Sequence, residues 1–465
     1  MMLHSRTAQA CAAMLAGGAL AVPAMLLVAS GADTGRAAWD AAIYHERVIR
    51  AFIEQFPWID ARNPLTTTTP GYHAALAAFG VVVSDAPLAL RLVATAIGTA
   101  LVALVAAWCA WFRGAAQGTL LALPLACSIY VIGAAAWLLP DDAAWLLVAL
   151  TLTLCLREPW SLRTCAGAAA ALVGLVLVRQ VQIWAALPVA VACMLPQASH
   201  RVPPARRVAV AAAVVFPPCA VLAAFAALWG GLVPPRFQAD VTGANWATPS
   251  FVLLQFAIAG IAFLPWLAPA IADAWAHRRG PLLMVAAVTL AASAVPATVP
   301  DVAAGRYSGL WSALAWLPSI AGHSSIGVLL LAPAGAVLVA SAIVTLAPRQ
   351  RAILCTAVIG FIAAATATHY SWQRYHEPFV LLLLAMLSAL QPMQANSRPR
   401  ARLLMFVSIG ALCAALWAIT WRGLQGEPVD RSRQPAPAHL LPGETFPAMP
   451  AVRSTAALHD GTPRA

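Results

Sequence analysis

"ACAAMLAGGALAVPAMLLVAS", Ala10 to Ser30, runs from end to end without a charged side chain. Coiled as an α-helix at about 1.5 Å per residue, it reaches about 30 Å, the thickness of a bilayer's hydrocarbon core. Runs of this kind recur along a chain of 465 residues that is 62% hydrophobic and only 10% charged, with a mean hydropathy of +0.79. They lack the apolar/polar alternation of a barrel strand, and in lipid every backbone N–H and C=O must bond within its own segment. The reading is an all-α, polytopic membrane protein. Ala10–Ser30 is longer and more evenly apolar than a signal-peptide core, and no cleavage pattern follows it, so it is read as the first anchor.

Outward from that anchor, apolar runs fall near residues 10–30, 92–112, 117–138, 143–156, 164–178, 181–196, 207–231, 251–276, 281–299, 325–346, 352–369, 377–391 and 402–421. They predict about thirteen transmembrane helices, several of them short enough to be tilted or broken. The chain carries a formal charge of +11, and all 28 basic residues are arginine. With the N-terminus inside, Arg113, Arg157, Arg163, Arg206, Arg207, Arg278, Arg279, Arg349 and Arg351 gather on the cytoplasmic side with only Glu158 and Asp273 among them. The basic balance therefore reflects the positive-inside rule, and no nucleic-acid partner is implied. The arginine and alanine usage suits a GC-rich bacterial genome, hence a bacterial inner membrane.

The remaining acidic residues concentrate on the outer side, in a long first loop from 31 to 91 and in the tail. Within the loop, "AAIYHERVIRAFIEQF" sets Ile43, Val48, Ile49, Phe52, Ile53 and Phe56 near one face at helical spacing, which predicts an amphipathic helix lying along the membrane surface. Residues 1–422 read as one membrane-embedded domain, and 423–465 as a Pro-rich, poorly ordered outer extension. The nine cysteines have neither disulfide nor zinc spacing. His73, His323 and His369 stand without paired spacing, so no metal site is indicated.

Candidate chemistry lies at the outer face. Asp40, His45 and Glu46 open the first loop, and Asp141 and Asp142 follow in "WLLPDDAAW". Two acidic loops at one membrane face can converge as general bases; the alternative for Asp141 and Asp142 is simple stabilisation of the next helix start. Arg179 interrupts a long apolar stretch in "LVLVRQVQIW", where a guanidinium either faces a cavity and pairs with an anion or snorkels at a helix end. Arg374 in "SWQRYHEPF" re-enters the membrane beside Tyr375, with an interfacial Arg374/Glu377 ion pair as the alternative. In "NPLTTTTPGYH", Pro64, Pro70 and Gly71 turn the chain while Thr66 to Thr69 offer hydroxyls and N–H groups at headgroup level; the alternative is a plain connector.

These segments together resemble the GT-C superfamily of membrane glycosyltransferases, in particular the dolichyl-phosphate-glucose-dependent α-1,2-glucosyltransferases and their bacterial relatives. The likeness runs through "WDAAIYHERVIRAFIEQFPWIDARNPLTTTTPGYH", "LRL" at Leu90–Leu92, "PDDAA", "RQVQIW", "ADVTGANWATPSFVLLQ" and "QRYHEPFVLLLL", in that order over most of the chain. It implies an inverting transfer of a sugar from a polyprenyl-phosphate donor to an extracytoplasmic glycan, lipid or protein acceptor. Asp40 would be the base, Asp141 or Asp142 would support the acceptor, and Arg179 or Arg374 would hold the departing phosphate. Gln180, Tyr375, Thr68, Thr69 and His45 would complete the donor site. No cofactor is implied, and a divalent ion is not indicated. The family's acidic pair before His45 is reduced here to Asp40 followed by Ala41 and Ala42, which leaves Glu46 as a substitute base. A transporter or flippase of lipid-linked sugars, or a noncatalytic cell-envelope assembly protein, are the competing readings.

Overall fold

A computed structural model describes residues 5–157, 160–195, 203–241, 243–392 and 399–425. The Pro-rich extension expected after residue 422 lies, from 426 onward, outside the described residues. The described chain is almost wholly helical, with one two-stranded hairpin pairing Ser319–Ile320 and Ser324–Ser325. Among the described residues six helices are long and apolar enough to cross a membrane, or seven if Ala115–Cys127 and Ile129–Ala136, bent by 72° at Ser128, count as one. Leu162–Val178, Gln180–Met194 and Glu377–Leu390 are apolar but shorter.

Local chemistry sets the helix ends. Prolines stand in the first turns of Pro87–Arg113, Pro204–Trp229 and Pro348–Thr366, where a missing N–H costs nothing. The hydroxyls of Ser128 and Ser161 accept from the N–H groups of Tyr130 and Thr164. The helix Thr248–Ala294 hides a reversal: Arg278 has non-helical backbone angles, and Ser250 and Ser293 touch through their hydroxyls at 2.8 Å. In a straight helix those residues would stand about 65 Å apart, so the chain turns back on itself between them, with a break in the helical angles at Arg278 and prolines at Pro265, Pro269 and Pro281. The expected run 251–276 lies before Arg278, and 281–299 lies after it, helical only as far as Ala294.

Glu377–Leu390 forms the innermost element, with all fourteen residues buried. Phe379 contacts Trp145, Trp184, Phe256 and Phe361 through their rings. At its start the Glu377 carboxylate accepts from Ser128 Oγ, 2.6 Å away, and from Gln373. At its end Arg113 donates to the carbonyls of Ser388 and Gln391, both at 2.6 Å, which satisfies orphaned helix carbonyls.

The first loop is a folded layer. Helix Gly35–Asp40, a π-turn Ala41–His45 and helix Glu46–Gln55 follow one another, and Gly71–Val82 packs against them. The apolar stripe foreseen for a membrane surface is directed largely into protein: Ile49 packs with Tyr72 and Leu76, and Val48 and Phe52 pack with Ala77. Phe56, beyond the helix end, is exposed. Asp33 pairs with Arg91 at 2.6 Å and Thr34 donates to Leu424 O, tying the loop's base to the second and last long helices.

Candidate functional site

The π-turn decides where the first loop's polar groups point. In an α-helix a residue five positions on lies about 140° around the axis. A π-turn closes i to i+5, so residues five apart come over one another. Asp40 and His45 thereby line the same cavity, about 260 Å³, with Arg36, Tyr44, Tyr307, Trp372, Arg374 and others.

Asp40 is buried and forms an ion pair with Arg374, while Arg36 approaches it at 3.2 Å from one turn earlier. Arg374 therefore pairs across 334 residues with Asp40, and Glu377 bonds instead to Ser128 and Gln373. Arg179, at the break between helix Leu162–Val178 and the 3₁₀ turn Gln180–Ala185, forms an ion pair with Asp141. Tyr375 joins the two pairs. The guanidinium of Arg179 lies 4.6 Å from its ring centroid, that of Arg374 lies 4.9 Å from it, and Arg374 donates to the Tyr375 hydroxyl at 3.0 Å. The two guanidiniums cannot be farther apart than those two centroid distances laid end to end, and the charge of Asp141 also reaches Arg374.

A second cavity, about 120 Å³, adjoins the first through Thr67, Val241, Tyr370 and Tyr375. Its lining is mostly apolar, with Val181, Trp184, Phe361 and Ala365 among it, and includes the polar Arg179, Gln180 and His376. The pair is thus an arginine-rich hollow opening onto a greasy one.

The threonine segment is a wall clamped from behind. Thr69 donates through Oγ1 to Val176 O at 2.5 Å and through its N–H to Gln180 Oε1 at 3.0 Å. Gln180 Nε2 donates to Thr67 O and Leu232 O, at 2.7 and 3.0 Å. Gly71 allows the close approach: a Cβ there would stand 2.6 Å from the carbonyl oxygen of Leu177. Thr69 and much of Gln180 are therefore committed to the scaffold, whereas Thr66, Thr67 and Thr68 line the cavities.

Asp141 and Asp142 part ways. Neither caps its helix through a side-chain hydrogen bond. Asp141 meets Arg179, while Asp142 is buried against Gly98 with neither oxygen hydrogen-bonded among the described residues. Glu46 is buried and held by Arg50 at 2.9 Å, and it lines neither cavity.

His73 was not foreseen as part of the site. It lies 28 residues from His45, and its Nε2 is 2.8 Å from His45 Nδ1. Burial drives the His73 imidazole down to about 3. His45 is lowered too, first by burial and then by the neighbouring His73, Arg374 and Arg179. Both rings are neutral at ordinary pH. No sequence spacing marks this pair, since only the packing of Glu46–Gln55 on Gly71–Val82 creates it.

Searches against family models, curated proteins and solved structures returned no match.

Proposed function

We propose that the protein is an inverting glycosyltransferase that moves a sugar from a polyprenyl-phosphate donor to an extracytoplasmic acceptor, in a bacterial inner membrane with the N-terminus cytoplasmic. In this reading the thirteen apolar runs each cross or enter the bilayer, and the Asp40 cavity opens on the outer face. The observation that supports it best is the pair of arginine–aspartate bridges held on one tyrosine, where a polar cavity meets an apolar one.

That junction suits a molecule with a charged head and a hydrocarbon tail. The isoprenoid next to the phosphate would lie against Val181, Trp184 and Phe361, and the sugar would enter the cavity of Tyr44, Tyr307 and Trp372. In the two bridges and their neighbour, Arg36, Arg179 and Arg374 pair with the carboxylates of Asp40 and Asp141, leaving one guanidinium charge in excess. A phosphodiester, which carries one negative charge, neutralises it. Planar guanidiniums hold phosphate oxygens bidentately, and that hold strengthens as the leaving phosphate gains its second charge. An arriving phosphate competes with Asp40 for Arg374. The released carboxylate is then the group that takes the acceptor hydroxyl's proton, worth about 10²–10⁴-fold in rate.

The test is sugar transfer in membranes supplied with a panel of polyprenyl-phosphate sugars. The wild type is expected to transfer one of them, and Asp40→Asn to lose at least about 100-fold in kcat. Full turnover in Asp40→Asn removes Asp40 from the base role, and silence with every donor removes the transferase reading.

A further inference from the structure

The His45–His73 contact has one more property. The ring planes lie 13° apart with centroids 5.1 Å apart. That separation is one 2.8 Å N···N bond plus the two ring radii, so the rings meet edge to edge and the bond runs in both planes. A hydrogen bond needs a single proton between its nitrogens, and two arrangements supply one. If His45 Nδ1–H donates, the His73 proton must sit on Nδ1, which is buried with no bonding partner among the described residues. If His73 Nε2–H donates, that buried Nδ1 is a bare lone pair, and His45 carries its own proton on Nε2. An orphaned buried N–H is the rarer and costlier defect. His45 lines the polar cavity, and with Nδ1 taken, Nε2 is the nitrogen left to face it.

We propose that His73 is a positioning residue: its Nε2–H donates to His45 Nδ1 and so holds His45 as a neutral imidazole that presents Nε2–H to an anionic oxygen in the Asp40–Arg374 cavity. The charged groups around that imidazole are Asp40 and Arg36 from the helix just before its π-turn, together with Arg374 and Arg179, with Glu46 turned to Arg50. A neutral donor adds a directed bond for a lipid phosphate without adding a fourth cation to the site. This role of the N–H rests on the transferase reading; the tautomer does not.

The test is solid-state NMR of ¹⁵N-histidine-labelled protein in bilayers at pH 7.5, with the His45 signals assigned through His45→Gln. His45 is expected to show an unprotonated Nδ1 and a protonated Nε2. Polyprenyl phosphate, its binding followed by ³¹P, should shift the Nε2 resonance. His73→Phe should leave His45 a mixture of tautomers and lower transfer about tenfold, the size of one neutral hydrogen bond. His73→Gln, whose amide can donate the same bond, should recover most of that loss. A proton on His45 Nδ1, an imidazolium, or an Nε2 signal unmoved by bound phosphate overturns the proposal. A wild type with no transfer ends the transferase reading but leaves the tautomer to be read in the same spectrum.

Discussion

Arg374→Met bears most directly on the two-bridge arrangement. It keeps a long apolar stem but removes the charge, leaving the Asp40 carboxylate, 4% exposed, with Arg36 alone. The Arg36 side chain is 65% exposed, and an ion pair so open to solvent contributes at most about 1 kcal/mol. Stripping one partner from a buried pair costs about 3–5 kcal/mol, because the surviving charge stays behind, so with Arg36 offsetting part the expected loss is about 2–4 kcal/mol. Asp40→Asn is milder, about 1–3 kcal/mol, since Arg374 keeps the Tyr375 hydroxyl and the faces of Trp372 and Tyr375. The double variant strands neither charge. Its loss should fall short of the sum of the singles by about 2 kcal/mol. Reversible unfolding in mixed detergent micelles, followed by tryptophan fluorescence, measures the cycle. Additive losses would refute the claim that these groups hold each other.

Three further outcomes follow from the same geometry. His45, His73 and His376 are all held neutral by burial, the last two near 3, so their folded values lie below the unfolded one of about 6.5 and the unfolded chain binds the extra protons as pH falls. Stability is therefore fully present above that value and drops below it, by about 2 kcal/mol per histidine between pH 7.5 and 5, and His73→Phe should flatten the slope by one such share. Gly71→Ala should cost about 1–3 kcal/mol, because the new methyl meets the Leu177 carbonyl, and hydrogen exchange at Thr66–Thr69 should quicken with it; unchanged exchange would sink this account of the threonine wall. Burial, and then the neighbouring Asp141, push the Asp142 carboxyl well above its ordinary range and hold it protonated, so Asp142→Asn, close to it in shape and equally uncharged, should change the unfolding free energy by less than about 1 kcal/mol; a larger loss would mean that an ionised carboxylate stabilises its helix start after all.

Much of this was legible in the residues. The expected apolar runs fall largely on helical backbone, because apolar stretches leave the backbone one local way to bond itself, although only six or seven of the described helices are long and apolar enough to cross a membrane. Arg179 and Arg374 stood out because a guanidinium in an apolar context needs a partner. The partners were not legible: Arg374 beside Glu377 in sequence pairs with a residue 334 positions away. The π-turn at Ala41–His45 left no trace, since two alanines, an isoleucine and a tyrosine suit an α-turn equally well. Asp141 and Asp142 are chemically identical neighbours, and only the direction of one helix turn sends the first to Arg179 and the second against Gly98. Thr69 looked like a ligand donor for the same reason: composition reveals that a hydroxyl is present but not which carbonyl claims it.

The buried helix Glu377–Leu390 has a mechanical consequence. Anchored by Glu377 at one end and by the Arg113 fork at the other, it behaves as a tent pole, and Gln373–Tyr375 sit at its tip. On the transferase reading, room for a long lipid would come from canvas rather than pole, from little-buried outlying helices such as Pro204–Trp229, with Arg374 and Tyr375 keeping their place at the tip.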